Sequence, residues 1–160
     1  MLKALGFLFL FIASTGVCKL LADRRLHALI TCEECVRFVS YLRIRIGCYL
    51  EPVDVAAASF KSDVFSSLGL DKKIKELGPY AAFSEIGQAL PLTPDVRRLM
   101  LELCENLGSG YVDDELKLID AYIAELSRIK SEAREKIPNE NKLVTTLISG
   151  AVLGLIILFL

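Results

Sequence analysis

The sequence has little of what nucleic-acid binding, nucleotide binding or β-sheet formation requires. Its 19 basic and 20 acidic residues nearly balance, whereas a nucleic-acid interface needs clustered positive charge. Nucleic acid is therefore not an expected partner. Gly108-Ser109-Gly110 is too short for a phosphate cradle and is not followed by Lys-Ser/Thr. No alternating strand pattern bounded by hairpin turns occurs, which predicts an all-α fold.

Residues suited to catalysis are equally sparse. The single histidine, His27, is interpreted as an interfacial side chain at the start of a helix. The acid pairs Glu33-Glu34 and Asp113-Asp114 are adjacent in sequence, so their side chains point to different faces of a helix. We therefore predict no catalytic residue, no cofactor and no enzymatic activity.

The five cysteines do not form a disulfide framework, because their number is odd and one lies in an apolar run. They are Cys18, Cys32, Cys35, Cys48 and Cys104. Two of them form a Cys-x-x-Cys motif, Cys32 to Cys35, for which a thiol or metal site is the alternative interpretation. A zinc site would need two more ligands in a matched motif, and none is evident. We predict structural, reduced cysteines and no metal.

Charge is missing from both ends of the chain. Residues 4–18 and 143–160 contain no charged side chain, and a membrane span needs about 20 apolar residues, or fewer where flanking lysines reach the headgroups. The basic residues on the inner flanks are Lys19, Arg24, Arg25 and Lys142. By the positive-inside rule, the segment between the runs is cytoplasmic. We predict transmembrane helices at 3–22 and 143–160 around a cytoplasmic domain at 23–142.

A cleaved signal peptide is the alternative for the first run, since small residues from Ala13 to Gly16 resemble a cleavage region. The basic residues after the run favour an anchor. In the second run, Gly150 and Gly154 share one helix face, where small residues let another helix approach closely. They are the candidate helix-packing residues. The alternative is that glycine is common in membrane helices.

Between the ends, apolar residues at three- and four-residue steps predict a bundle of helices. The first predicted helix covers 26–49 and continues the first membrane helix. The second covers 53–68 and is stopped by Gly69. Short helices follow in 70–90, with breaks at Gly78-Pro79 and Gly87. A helix capped by Thr93, with Pro94 at its first position, follows. The last helix carries an apolar stripe from Val112 to Ile137 and is predicted to end at a hinge at Pro138-Asn139.

Taken as a whole, the chain resembles the stage III sporulation protein AB family of endospore-forming bacteria. The resemblance rests on the order of four features: the opening Met1–Gly6 run, the Leu90–Pro94 turn, Leu107-Gly108 before a long acidic helix, and the apolar tail with Gly150 and Gly154. The turn at 47–53 keeps only a glycine and a proline of the family's pattern, and 61–90 is similar only in outline.

The resemblance implies a non-enzymatic subunit of the channel complex between mother cell and forespore. The family's helical domain is similar to type II secretion F and type IV pilus platform domains. By that analogy, the chain would dock a cytoplasmic secretion-type ATPase, contact other channel subunits and the lipid bilayer, and associate with its own copies. Its expected location is the mother-cell side of the outer forespore membrane.

Overall fold

A computed structural model describes residues 2–86, 88, 90–108 and 110–159. The side chains of residues 2–11, 86, 152, 153 and 155–159 are outside this description. The described residues form helices without any strand, so the predicted all-α fold is confirmed. In chain order the helices are α1 Leu2–Tyr49, α2 Val53–Ser59, α3 Asp63–Ser67, α4 Leu70–Leu77, α5 Pro79–Ile86, α6 Pro94–Asn106 and α7 Val112–Phe159.

The chain divides into two compact units, which share the two long helices. The core unit is Ala28–Ser131, and the end unit combines Met1–His27 with Glu132–Leu160. The core unit therefore contains the last part of α1, all the short helices and the first part of α7.

In the core unit, α1 and α7 pack against each other in antiparallel directions. The Arg43 guanidinium binds the Asp120 carboxylate, with Nη2 3.1 Å from Oδ2. One helical turn later on α1, a Cβ at Gly47 would lie 3.1 Å from Cδ2 of Leu116 on α7. Gly47 therefore lets the two helices approach closely at this point, where a larger residue would press against the Leu116 side chain.

Four phenylalanines form the centre of the core unit. The Phe38 ring on α1 is fully buried, and its centroid lies 5.2 Å from that of Phe60, 5.7 Å from Phe65 and 5.9 Å from Phe83. The pairs are tilted or edge-to-face, the arrangements that the ring quadrupoles favour. This cluster holds the short helices against α1.

The predicted single helix over 53–68 is wrong, because the chain breaks into α2 and α3. Phe60 is extended, and Ser62 caps α3 by accepting the Phe65 N–H at 3.2 Å. The Ser62 hydroxyl also donates to Glu34 on α1 at 2.6 Å. The break lets both Phe60 and Phe65 reach Phe38, which a continuous helix would not allow.

Predictions at several other helix ends are confirmed. Thr93 caps α6 by accepting the Val96 N–H, with Pro94 at the first helical position. Gly78 separates α4 from α5 at a positive φ of 81°. The predicted break at Gly87 is outside the described residues.

The hinge at Pro138-Asn139 is wrong, because α7 continues as a helix through Pro138. Proline removes one backbone N–H and disfavours a helical residue before it. Helical packing continues beyond it, since Arg25 on α1 donates to Asn141 at 3.0 Å and pairs with Glu140 at 3.5 Å.

The two helices of the end unit leave large apolar side chains in solvent. Ile12 and Leu20 on α1 and Leu143 and Leu147 on α7 are all more than half exposed. Among the described residues, no helix is long and apolar enough to cross a membrane. The predicted spans at 3–22 and 143–160 lie partly on residues whose side chains are not described.

Candidate functional site

A groove lies at the end of the core unit where α1 ends and α7 begins. Its volume is about 630 Å³. Three chain segments converge on it: 50–54 between α1 and α2, 77–81 between α4 and α5, and 107–115 between α6 and α7. We refer to it as the helix-end groove. Each segment turns because of local sequence, with Pro52 in the first, Gly78-Pro79 in the second and Gly108 in the third.

Leu50 stands at the edge of this groove in an unusual backbone conformation. Its φ is 52°, and it is the one non-glycine residue with a positive φ among the described residues. Its N–H bonds the Ile46 carbonyl at 3.2 Å, which is the left-handed cap that glycine usually supplies at a helix C-terminus. Because a left-handed conformation costs a residue other than glycine about 1–2 kcal/mol, leucine at this position lowers the stability of the folded chain. Its side chain is 72% exposed.

The charged side chains that line the described part of the groove are all acidic: Glu51, Asp54 and Glu115. Glu51 is paired with the Arg45 guanidinium, at 2.7 Å from Nε. Arg45 also lies over the Tyr49 ring, 5.1 Å from its centroid. The last turn of α1 is thereby fixed beside Leu50.

Glu115 shapes the third segment of the groove. It is 92% shielded from solvent, with 8% of its surface exposed. One carboxylate oxygen, Oε1, accepts the N–H of Gly108 at 2.9 Å and that of Gly110 at 3.2 Å. Gly108 has a positive φ of 88°, so the loop bends back over the carboxylate. A helix side chain thus holds the loop that precedes its own helix.

Exposed apolar side chains concentrate around the groove. In the described part of the core unit, nine large hydrophobic residues are exposed. Four of them line the groove, three are next in sequence to a lining residue, and Ile30 and Ile44 are neither. The other seven are Tyr49, Leu50, Val55, Leu77, Tyr80, Tyr111 and Val112. We refer to them as the helix-end patch. Clustered apolar exposure of this kind is typical of interaction surfaces and ligand-binding grooves.

The cysteines predicted to be structural lie mainly in the core. Cys32, Cys35 and Cys104 are buried. Burial raises the pKa of the Cys104 thiol to about 12. It also raises the pKa of Cys32, and that of Cys35 well above its usual value. A reactive or metal-binding cysteine needs the opposite, an accessible thiolate. The described residues contain no group of three side chains able to hold a metal ion.

Gly150 and Gly154 are both exposed on α7. Apart from the glycines' chain neighbours and the backbone of α7 itself, no described atom lies within 4 Å of the position that a Cβ would take at either residue. The described residues therefore leave the face with the two glycines open. His27 is exposed on α1.

The helix-end groove was not identified from the sequence. Val112 was assigned to the buried stripe of the last helix, but it is 40% exposed, so that assignment is wrong. Leu50 and Tyr111 carried a usable signal, since both are large apolar residues placed between helices beside proline or glycine. The left-handed conformation of Leu50 and the meeting of the three segments have no signal in the sequence.

Comparison with protein families gives one match. The family model described as stage III sporulation protein AB matches residues 3–160, which covers both units. No curated protein and no solved structure matches the chain.

Proposed function

We propose that this chain, which belongs to the stage III sporulation protein AB family and so has a role in sporulation, is a non-enzymatic platform subunit. It would be part of the channel complex between mother cell and forespore. Its task is to dock a cytoplasmic secretion-type ATPase. The observation that supports docking is the helix-end patch: four exposed apolar residues line a groove of about 630 Å³, and three more are next to lining residues in sequence.

The arrangement supports a binding role more than a chemical one. Two of the three carboxylates that line the groove are held by structural partners, Glu51 by Arg45 and Glu115 by two backbone N–H groups. Active sites instead separate the pKa values of neighbouring acids and bases so that they can exchange protons with a substrate.

We further propose that the two ends anchor the chain in the outer forespore membrane from the mother-cell side. The uncharged runs at 4–18 and 143–160 and the basic residues inside them support this topology. Labelling single cysteines placed at Asp63 and Glu105, in a background without the native cysteines, tests it in intact cells. Protection of both sites from an impermeant maleimide supports a cytoplasmic core unit, and labelling of either contradicts it.

Gly150 and Gly154 are proposed to face a helix of another channel subunit or of a second copy. Their open face supports this, because two small residues permit close contact between helix backbones. Gly150→Leu is expected to weaken assembly, whereas Ser149→Leu, one residue away on a different face, serves as the matched control. Equal recovery of the complex after detergent extraction of the two variants would contradict the proposal.

The decisive test is binding of the full-length chain, in detergent or nanodiscs, to the secretion-type ATPase of the same sporulation system. Calorimetry with and without ATP should give saturable binding that needs no added metal. A nanodisc without the chain controls for attachment to lipid. If the ATPase gives no heat of binding in either nucleotide state, the platform function is wrong.

A further inference from the structure

The helix-end groove combines an apolar surface with acidic side chains that remain available to a partner. Two of its carboxylates are engaged, Glu51 by Arg45 and Glu115 by Gly108 and Gly110. Asp54 lines the groove, and the exposed Asp113 is the next residue in sequence after the lining residue Val112. Neither Asp54 nor Asp113 has an ion pair within the described part of the chain.

Leu50 is not explained by the stability of the fold. Its position is a left-handed helix cap, where glycine avoids the cost that leucine incurs. Its side chain gains little from burial, because 72% of it remains exposed. Strained residues that the fold tolerates without benefit are concentrated at binding sites. A large apolar side chain held rigidly in solvent fits the role of an interface anchor.

We propose that the helix-end groove binds an amphipathic segment of the partner that carries apolar side chains and positive charges. Apolar residues of the segment pack against Leu50, Tyr80 and Val112, and its cations lie near Asp54 and Asp113. An amphipathic helix set into an apolar groove is a recurrent mode of peptide recognition. This inference rests on the proposed function, since the segment is taken to belong to the secretion-type ATPase.

Substitutions at Leu50 separate its role in binding from its role in folding. Leu50→Gly supplies the residue that the backbone prefers, so the melting temperature should rise or stay unchanged. Affinity for the ATPase should fall at least about tenfold, as when an interface anchor is lost. Leu50→Asn tolerates the left-handed conformation and removes the apolar side chain without the added flexibility of glycine. It should lose affinity to the same extent.

The acidic residues can be tested with a matched control. Asp54, Asp113 and Asp95 are each the second residue of a helix, so each interacts equally with a helix N-terminus. Asp95 begins α6, whereas the groove is lined by residues at the other end of that helix, including Cys104 and Leu107. The double variant D54N/D113N should bind the ATPase several-fold more weakly and with less dependence on salt. D95N should bind like the wild type.

All variants are tested as full-length chains by calorimetry at two salt concentrations. Weaker binding of the Leu50 and Asp54/Asp113 variants, with D95N unchanged, supports the inference. If the wild type binds the ATPase and these variants bind equally well, the inference is wrong and the platform function stands. Equal weakening by D95N would also overturn it, because the charge effect would then not belong to the groove. If the wild type does not bind, both proposals fall.

Discussion

Glu115 provides the most direct test of how the helix-end groove is built. Its carboxylate accepts the N–H groups of Gly108 and Gly110 at 2.9 and 3.2 Å. A hydrogen bond to a charged group contributes about 1.5–3 kcal/mol. Both glycines are exposed at the surface, so water replaces part of what is lost. Glu115→Ala should therefore lower the free energy of unfolding by about 2–3 kcal/mol, or the melting temperature by about 5–10 °C.

The measurement is denaturation of the full-length chain, followed by helical circular dichroism. Glu115→Gln keeps a neutral acceptor oxygen and should lose about half as much stability, because neutral hydrogen bonds are roughly half as strong. Glu105→Ala, at an exposed helical glutamate on α6, controls for the loss of a carboxylate. Amide hydrogen exchange at Gly108 and Gly110 should accelerate only in the Glu115 variants. A loss of less than about 0.5 kcal/mol for Glu115→Ala would refute the reasoning.

Three further predictions follow from the core unit. Because the Phe38 ring is fully buried against three others, Phe38→Ala should lower the free energy of unfolding by about 3–5 kcal/mol, and Phe38→Leu by less than about 1.5 kcal/mol. A difference between the two variants of less than 1 kcal/mol in chemical denaturation, roughly the cost of the cavity, would contradict this. In the folded chain at mildly alkaline pH, iodoacetamide should modify the exposed Cys48 and leave Cys35 unmodified until denaturant is added, because burial raises the pKa of Cys35. Mass spectrometry identifies the modified residues. The hydrogen bond from Arg43 lowers the pKa of Asp120, so the small stability that this pair contributes is present above the unfolded pKa of about 3.9 and is lost as pH falls through the lower folded pKa. Melting curves of Asp120→Asn below about pH 5 should therefore depend less on acid than those of the wild type, and identical curves would count against the pair.

The features that the sequence predicted correctly are those whose determining residues lie within one or two helical turns of each other. The cap formed by Thr93 and Pro94 lies within one turn of α6, and the Gly78-Pro79 break needs no distant contact. The four-residue spacing of Phe38, Leu42 and Ile46 likewise predicts which face of α1 is buried. In each case the determining residues are close in sequence.

The errors occurred where a distant part of the chain decides the structure. Ser62 breaks the helix predicted over 53–68 while it bonds Glu34, 28 residues away. The break also brings the Phe65 ring against the Phe38 ring. This aromatic packing offsets the loss of helix hydrogen bonds at the break. At Pro138, the paired contact between Arg25 and Glu140 favours helix where proline alone would end it. Such contacts cannot be read from periodicity.

The helix-end patch arises where the apolar stripes of α1 and α7 extend beyond the core. The sequence predicts an apolar pattern on each helix, from Leu26 to Tyr49 on α1 and from Val112 to Ile137 on α7. The core of the described residues reaches Ile46 on α1 and begins at Ile119 on α7. Tyr49 and Val112 continue each apolar pattern past those limits and are exposed at the same end of the core unit. Because no element among the described residues covers Tyr49 and Val112, the end of each apolar pattern is the surface where we expect the partner to bind.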